Sequence, residues 1–394
     1  MENKRVPEVR FEGFSGKWEK HKLSDIKDVR DGTHDSPKYY NKGFPLVTSK
    51  NLKENGLDMT DVSLISEEDF QAINKRSKVD IGDVIFGMIG TIGNPVIVDR
   101  TGFAIKNVAL IKHGGEIRNE YLIQLLRSPI FKKYIRNENA GNTQKFLGLS
   151  KIRDYQFLSP SYQEQTQIGT FFKQLDDTIT LHQQELSTLK QAKQGFLQKM
   201  FPKEGESMPE VRFPGFTGEW GQRELGEIVN ITMGQSPNGE NYTENPNDHI
   251  LVQGNADIKN GWVVPRVWTT QVTKSAYKGD IILSVRAPVG DVGKTQYDVV
   301  LGRGVAGIKG NEFIFQLLSK MKSDGFWARF STGSTFESIN SNNLKEAIIN
   351  IPDEAEQTKI GTFFKQLDET ITLHQRELDA LKETKKAFLQ KMFV

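Results

Sequence analysis

The chain has 394 residues, 37% hydrophobic and 26% charged, a composition typical of a globular protein with two or more domains. It has no cysteine, which excludes disulfides and thiolate metal sites and fits a reducing compartment. The formal net charge is only +2, so composition alone gives no argument for a nucleic-acid partner. We see neither a signal peptide nor an apolar run near the roughly 20 residues of a membrane span. We therefore expect a cytoplasmic protein without a membrane partner.

Two internal repeats define the organisation of the chain. Residues 164–201 and 356–393 align without a gap, and 29 of the 38 aligned positions are identical. A shorter repeat opens each half, PEVRFEGFSGKW at 7–18 and PEVRFPGFTGEW at 209–220. The repeating unit is a short aromatic motif, a long variable region and a long helix, and it occurs twice.

The aromatic motif is expected to pack rather than to bind a ligand, because no convergent polar groups accompany it. The predicted apolar anchors are three aromatic residues in each copy: Phe11, Phe14 and Trp18, then Phe213, Phe216 and Trp220.

The two variable regions diverge in sequence but share landmarks in the same order. A Gly-Asp pair leads into an apolar strand, a glycine-rich connection, a second strand, a short helical stretch and a polar loop. Each region is predicted to be an α+β domain with a twisted, mainly antiparallel sheet and short helices. The predicted strands are at 82–86 and 107–112, then 279–283 and 304–309; the helical stretches are at 119–136 and 311–330.

The repeated long segment has the signals of a helix start and of a coiled-coil seam. Ser161 with Glu164, and Asp353 with Glu356, have capping-box spacing. The heptad seam is continuous if His182 and Lys193 take two core positions. The apolar seam of the first copy is Ile168, Phe172, Leu175, Ile179, Leu186, Leu189, Phe196 and Met200.

Pairing the two helices buries both seams, since one exposed seam is marginally stable. Each helix would be about 55 Å long, and the linker after the first is short, which favours antiparallel pairing with a pseudo-two-fold internal repeat. The expected domains are 1–19 (aromatic motif), 20–160 (first recognition domain), 161–201 (long helix), 202–221 (linker and second motif), 222–352 (second recognition domain) and 353–394 (second long helix).

The two recognition domains, which we call the first and second head, are similar but not identical, and the paired long helices connect them. Such an arrangement suits a target with two parts. Duplex DNA is the common target of that kind, with half-sites about 34 Å apart for one helical turn. Divergent heads would then read different half-sequences.

The doubled segment with FFKQLD and FLQKMF, placed after each variable region, resembles the specificity subunit of Type I restriction–modification systems. The loops GTHDSP at 32–37, GQSP at 234–237 and the GNTQ and GSTF stretches resemble that family's target-recognition domains. The resemblance implies a subunit without a catalytic centre that recognises a split double-stranded DNA site. It also implies two methyltransferase subunits and added restriction subunits as partners. S-adenosylmethionine, ATP and Mg would belong to those partners, with no cofactor in this chain.

The sequence agrees with a non-catalytic role. It has no G-x-x-x-x-G-K-[ST] phosphate loop and no Asn/Asp-Pro-Pro-aromatic tetrapeptide. Its six histidines do not have metal-ligand spacing. We therefore predict neither catalytic residues nor metal ligands.

Base reading requires side chains with hydrogen-bond donors and acceptors on loops that can enter a groove. The same residue types also close turns, and many would contact phosphate instead. The predicted DNA-binding residues are Thr33, His34, Ser49, Lys50, Asn51, Thr143, Gln144 and Lys145 in the first head, and Gln235, Ser236, Gln253, Asn255, Arg286, Arg303, Ser334 and Thr335 in the second.

Two other interpretations remain open from the sequence. One is a non-catalytic coiled-coil scaffold whose two heads bind protein or peptide. The other is an enzyme with an unrecognised site in each head, which the lack of matched acid–base residues disfavours: His34 has no counterpart in GQSP.

Overall fold

The computed structural model describes residues 6–54, 56–139, 146–330 and 338–394. The chain divides into two compact units, one of Met1–Gln184 with Gln375–Val394 and the other of Glu185–His374. Each unit therefore contains one head and parts of both long helices. Within the described ranges, no helix combines the length and hydrophobicity of a membrane span.

The head of the first unit is built on a four-stranded antiparallel sheet. The strand order is Val29–Asp31, Val108–Ile111, Val84–Gly87, Gly93–Ile97. A second sheet has the order Ser63–Ile65, Phe44–Val47, Ala104–Ile105, with the last pair parallel. Glu19–Lys22 pairs with Gln156–Ser159, and Leu52–Lys53 with Gly56–Leu57. The short helices are Leu23–Ile26, Glu67–Ser77, Asn119–Arg127, Pro129–Glu138 and Leu149–Arg153, with a 3₁₀ turn at Ser49–Asn51.

The head of the second unit has a larger sheet with the same central strands. Its order is Asn230–Met233, Val305–Lys309, Ile281–Ser284, Val292–Lys294, Trp262–Val263, Ile258–Lys259. A five-stranded sheet has the order Tyr242–Thr243, Trp268–Thr269, His249–Val252, Val299–Leu301, Ser275–Ala276. Gly221–Glu224 pairs with Ile348–Ile351. The α-helices are Leu225–Ile228, Glu312–Ser323 and Ser341–Lys345, with 3₁₀ turns at Gly239–Asn241, Asn255–Asp257 and Phe326–Phe330.

The α+β prediction is confirmed in both heads, with sheets that are mainly antiparallel. The helical stretch predicted at 119–136 is interrupted at Ser128, which has ψ 158° before Pro129. Proline disfavours a helical conformation in the residue before it, so the chain ends one helix and begins another. The helix Glu67–Ser77 was not predicted.

In the first unit, Arg10 of the aromatic motif forms an ion pair with Glu164 at the start of a long helix, and we call this pair the clasp. Arg10 donates to both carboxylate oxygens of Glu164 at 2.7 Å and to the carbonyl oxygen of Gly16 at 2.7 Å. Glu164 is completely buried, and its backbone N–H donates to Ser161 Oγ at 3.4 Å, as the capping pattern predicts. A buried carboxylate requires a charged partner, and Arg10 supplies it.

The second unit repeats the clasp almost atom for atom. Arg212 donates to the two oxygens of the buried Glu356 at 2.6 and 2.7 Å, and to the Gly218 carbonyl oxygen at 2.6 Å. The Glu356 N–H donates to Asp353 Oδ1 at 2.9 Å. The sequence prediction assigned only aromatic anchors to this motif and missed its arginine.

The aromatic anchors differ in depth. Trp18 is 2% exposed, and its ring packs edge-on against Tyr121 and near Phe393. Trp220 is 3% exposed and packs against Phe201 in the corresponding core. The phenylalanines of the motif are only half-buried: Phe11, Phe14, Phe213 and Phe216.

The long helices are Tyr162–Lys199 and Glu354–Lys391, and within each unit their segments run antiparallel. In the first unit Phe171 packs edge-on against Phe388 and Asp176 lies against Lys385, so one number rises as the other falls. In the second unit the contacts Lys193 with Asp368 and Phe196 with Phe363 have the same sense. The predicted antiparallel coiled coil is confirmed.

The seam contains charged pairs as well as apolar residues. Lys385 Nζ lies 2.7 Å from Asp176 Oδ1, and Arg127 of the head donates to Asp176 Oδ2 at 2.9 Å. In the second unit Lys193 Nζ donates to Asp368 Oδ1 at 2.6 Å. Lys193 is thus a seam residue, as predicted. A polar group at a coiled-coil core position favours one register over others.

One residue of the predicted seam is not fully buried. Phe196 packs edge-on against Phe363 of the other long helix, as a seam residue does, but it is 38% exposed, whereas its neighbour Leu197 is 4% exposed. Leu197 packs with Met200 and Phe201 in the core of the second head. Head packing, rather than the heptad repeat, therefore determines burial at this end of the helix.

A glycine in each long helix allows close packing against its head. A Cβ at Gly169 would lie 2.8 Å from Cβ of Glu120, and one at Gly361 would lie 2.9 Å from Cβ of Glu312. Glycine inside a helix costs about 1 kcal/mol relative to alanine, and here the close approach of a second helix requires it.

Candidate nucleic-acid interface

Three chain segments meet at one edge of the first head. The Met88 N–H donates to the Asn107 carbonyl oxygen at 3.1 Å, and the Leu147 N–H donates to the Met88 oxygen at 2.9 Å. Ile89 and Phe146 form an antiparallel bridge beside these bonds. The backbone thus fixes where the loops end.

The second head has the same connections with different side chains. The Val285 N–H donates to the Gly304 oxygen at 2.9 Å, and the Ile339 N–H donates to the Val285 oxygen at 2.9 Å. Arg286 and Ser338 form the bridge. Position 286 therefore corresponds to 89, and 338 to 146.

Thr33 and His34 lie at this edge of the first head. The Thr33 N–H donates to the Ile105 oxygen at 3.0 Å. The His34 ring contacts Asn107 Oδ1 through Nδ1 at 2.8 Å and Asp31 Oδ2 through Nε2 at 3.0 Å. Both partners are acceptors, so they favour the protonated ring. The pKa of His34 is therefore raised, mainly by the hydrogen bond to Asn107 and next by the one to Asp31.

The second predicted loop of this head includes one residue that is unsuited to reading bases. Asn51 is 2% exposed, and its amide donates to the carbonyl oxygens of Asp58 and Asp61. Its role in the structure is to close this turn. Lys50 is exposed and donates to Asp61 at 3.1 Å, and Ser49 Oγ donates to the Ile89 oxygen at 3.1 Å.

Gln235, Ser236 and Arg303 come together in the second head. The Gln235 N–H donates to the Leu301 oxygen at 2.8 Å. Ser236 Oγ accepts from the Arg303 N–H at 3.2 Å. The side chains of Gln235 and Arg303 are exposed at this junction.

Gln253 joins the same cluster, because a Cβ at Gly304 would lie 2.0 Å from the Gln253 oxygen. Its side-chain amide donates to the Tyr242 hydroxyl at 3.0 Å. Asn255 follows in a 3₁₀ turn and is half-buried. With the exposed Arg286, the second head therefore gathers most of its predicted residues on one surface.

Five predicted residues lie outside the described ranges and keep the standing of predictions: Thr143, Gln144, Lys145, Ser334 and Thr335.

The sequence prediction missed Lys106, which corresponds to Arg303. Each residue lies one position before the residue, Asn107 or Gly304, whose carbonyl accepts the shared backbone bond. Lys106 Nζ donates to Ser36 Oγ at 2.6 Å, and Ser36 belongs to the loop that matches GQSP. Aligning NVALIK at 107–112 with GVAGIK at 304–309 would have identified it, because the preceding residues are Lys106 and Arg303.

The surface combines exposed cations, amides and hydroxyls on a rigid backbone. Arginine and lysine bind guanine or phosphate, and amides bind adenine. This set of groups can contact both the backbone and the base edges of a duplex.

Comparison with known proteins identifies the family. The model of the Type I restriction modification DNA specificity domain matches residues 15–191 and again 217–383. These two matches confirm the internal repeat. They cover most of the chain, which therefore belongs to this family.

Individual relatives agree with this assignment. A protein of Methanocaldococcus jannaschii, named as the specificity subunit of the type I restriction enzyme MjaX, is 28% identical over 94% of this chain and 92% of its own length. The MjaVIII specificity subunit of that organism is 19% identical over 80% of this chain and 79% of its own length.

A solved structure shows the same fold. The S subunit of a Type-I restriction-modification system from M. genitalium has a TM-score of 0.66, with 14% identity and 99% coverage of both chains.

Proposed function

Since the chain is a DNA sequence-recognition subunit of the Type I restriction–modification family, we propose that each head reads one half of a split double-stranded site. The supporting observation is the pair of matched edges. The same backbone bonds present Arg286 and Arg303 in one head, and Ile89 and Lys106 in the other. A shared frame with different tips suits two different half-sequences. Family membership disfavours the alternative of a protein- or peptide-binding scaffold.

The long helices would set the gap between the half-sites. Each contains 38 residues, about 57 Å at 1.5 Å per residue, against about 34 Å for one turn of DNA. The seam pairs of Asp176 with Lys385 and Asp368 with Lys193 hold their register.

The same helices would dock two methyltransferase subunits, one on each unit. In the second unit an open groove of about 980 Å³ is lined by Phe213, Phe216, Lys359, Thr362 and Phe363. Most of these groove positions recur in the first unit, but Gln167 replaces Lys359 there. The residues that recur are Phe11, Phe14, Thr170 and Phe171. Two similar surfaces would take two copies of one partner.

A stoichiometry measurement tests this docking. Thr170 and Thr362 are exposed, so Thr170→Arg or Thr362→Arg would obstruct the docking surface without displacing any buried side chain. Each variant should bind one methyltransferase subunit instead of two, and the double variant none, by light scattering of the purified complex. Ser187→Arg, on an exposed position away from the groove, is the matched control. Two subunits bound by the double variant would contradict the proposal.

Catalysis would reside in the partners. We propose that this chain has no catalytic centre, and that methyltransferase and restriction subunits carry S-adenosylmethionine, ATP and Mg. The complex would act in the cytoplasm, where the host DNA is.

A further inference from the structure

We propose that Ile89 and Phe146 form an apolar tip that contacts a thymine methyl group in the first half-site. This assignment rests on the proposed function, since it names what one edge of the first head reads. Neither residue has a polar side chain, which is why the sequence prediction passed over both.

The tip is exposed although its residues are apolar. Ile89 is 37% exposed and Phe146 is 45% exposed. They are bridge partners, so their backbones are side by side. Single exposed apolar side chains are common on protein surfaces, but two held side by side form a small apolar patch that can contact an apolar group of a ligand.

The backbone holds the tip in position. The Ile89 carbonyl oxygen accepts from Ser49 Oγ at 3.1 Å, and the Phe146 N–H donates to Asn139 Oδ1 at 2.9 Å. The Phe146 ring also lies 3.3 Å from where a Cβ would sit on Gly148. The exposure therefore belongs to an anchored surface, which loses little conformational entropy on binding.

The second head indicates what the tip contacts. Arg286 and Ser338 occupy the corresponding bridge, and arginine reads guanine through O6 and N7. The apolar group that a base edge offers in the major groove is the thymine methyl. The first head has Ile89 and Phe146 where the second has Arg286 and Ser338. The base that fits the first head at this place is therefore thymine rather than guanine.

The test uses the complete complex with its methyltransferase subunits and a duplex of its own recognition sequence. Each thymine of the first half-site is replaced in turn by uracil, which removes only the methyl group. At one position or more, binding should weaken about fourfold, the equivalent of about 0.8 kcal/mol for one buried carbon.

The side chains must account for that loss. In Ile89→Ala/Phe146→Ala the same uracil substitution should have no further effect, whereas Phe146→Leu, which keeps an apolar side chain, should retain most of it. Uracil in the second half-site should change the affinity for the duplex by the same factor in the wild type and in the double variant.

Recognition of the second half-site also shows that the double variant is folded. If that recognition persists, and uracil in the first half-site has no effect on the wild type or has the same effect with and without the two side chains, the inference is overturned. A first half-site without thymine on either strand overturns it too. A complex that shows no sequence preference in either half contradicts the proposed function itself.

Discussion

The clasp at the base of each head and the loop edge of the same head differ in how far the two copies agree. Arg10 with Glu164, and Arg212 with Glu356, match within 0.1 Å in both of their ion-pair contacts. At the loop edge the backbone bonds match, but the side chains change from apolar to cationic. A buried carboxylate tolerates few replacements because it needs its partner. An exposed position tolerates many side chains, so the two heads can carry different residues there and bind different base sequences.

The largest effect should come from breaking the clasp. Glu164→Ala leaves the Arg10 guanidinium without its carboxylate, which should lower the free energy of unfolding by about 3 kcal/mol. Glu356→Ala should do the same in the second unit. Chemical unfolding measures the loss. Hydrogen exchange in the helix segment of each unit that carries the clasp, 162–184 or 354–374, assigns it to a unit.

The matched control is Lys173→Ala, which removes an exposed pair with Asp177. Such pairs contribute less than about 0.5 kcal/mol. A clasp variant no less stable than this control would remove the basis for calling the clasp a fixed frame.

Arg303→Ala should relax recognition of one half-site and leave the other unchanged. If Arg303 contacts guanine with two hydrogen bonds, binding should lose about 1–3 kcal/mol at that position alone. Binding to duplexes varied one base pair at a time measures this. The intact half-site in the same complex is the control, and unchanged affinity and sequence preference would exclude the assignment.

Lys106→Ala should weaken binding to every sequence by a similar factor, because a lysine without a bidentate geometry binds phosphate. The slope of log affinity against log salt should fall by about 1. Lys173→Ala should leave the slope unchanged. A loss of affinity that depends on the DNA sequence would instead show that Lys106 contacts a base, the role proposed for Arg303.

The smallest effect should come from His34. Its raised pKa means that its contacts stabilise the first head most below the ordinary histidine value, about 6.5, and that this stabilisation is lost as pH rises through the folded pKa. The stability difference between wild type and His34→Gln should therefore shrink from pH 6 to pH 8.

Asn107→Gly removes the first contributor to that raised pKa, and glycine tolerates the φ of 55° at this position. In this background the pH-dependent difference should be smaller. An equal difference at both pH values would show that His34 does not stabilise the head through its protonated form.

The helices and strands follow from local patterns that the sequence displays. Heptad spacing and cap residues determine Tyr162–Lys199, and continuous apolar runs determine Val84–Gly87 and Ile281–Ser284. The clasp could not be predicted in this way, because Arg10 and Glu164 are 154 residues apart and only the fold joins them.

The loop edge was predictable only in part. Asn51 has the residue type of a base reader, yet its amide closes a turn, and asparagine serves both purposes. Ile89 and Phe146 have no polar groups to suggest DNA contact, and only their exposure distinguishes them from core residues. Lys106 was identifiable from the repeat alone.

The most direct test of the two-headed account is a map of methylated positions in host DNA, with and without this chain. The account predicts a split motif, two defined half-sequences around an unspecified gap, with adenines methylated on both strands. A continuous motif, or a methylation pattern that does not depend on this chain, would contradict it.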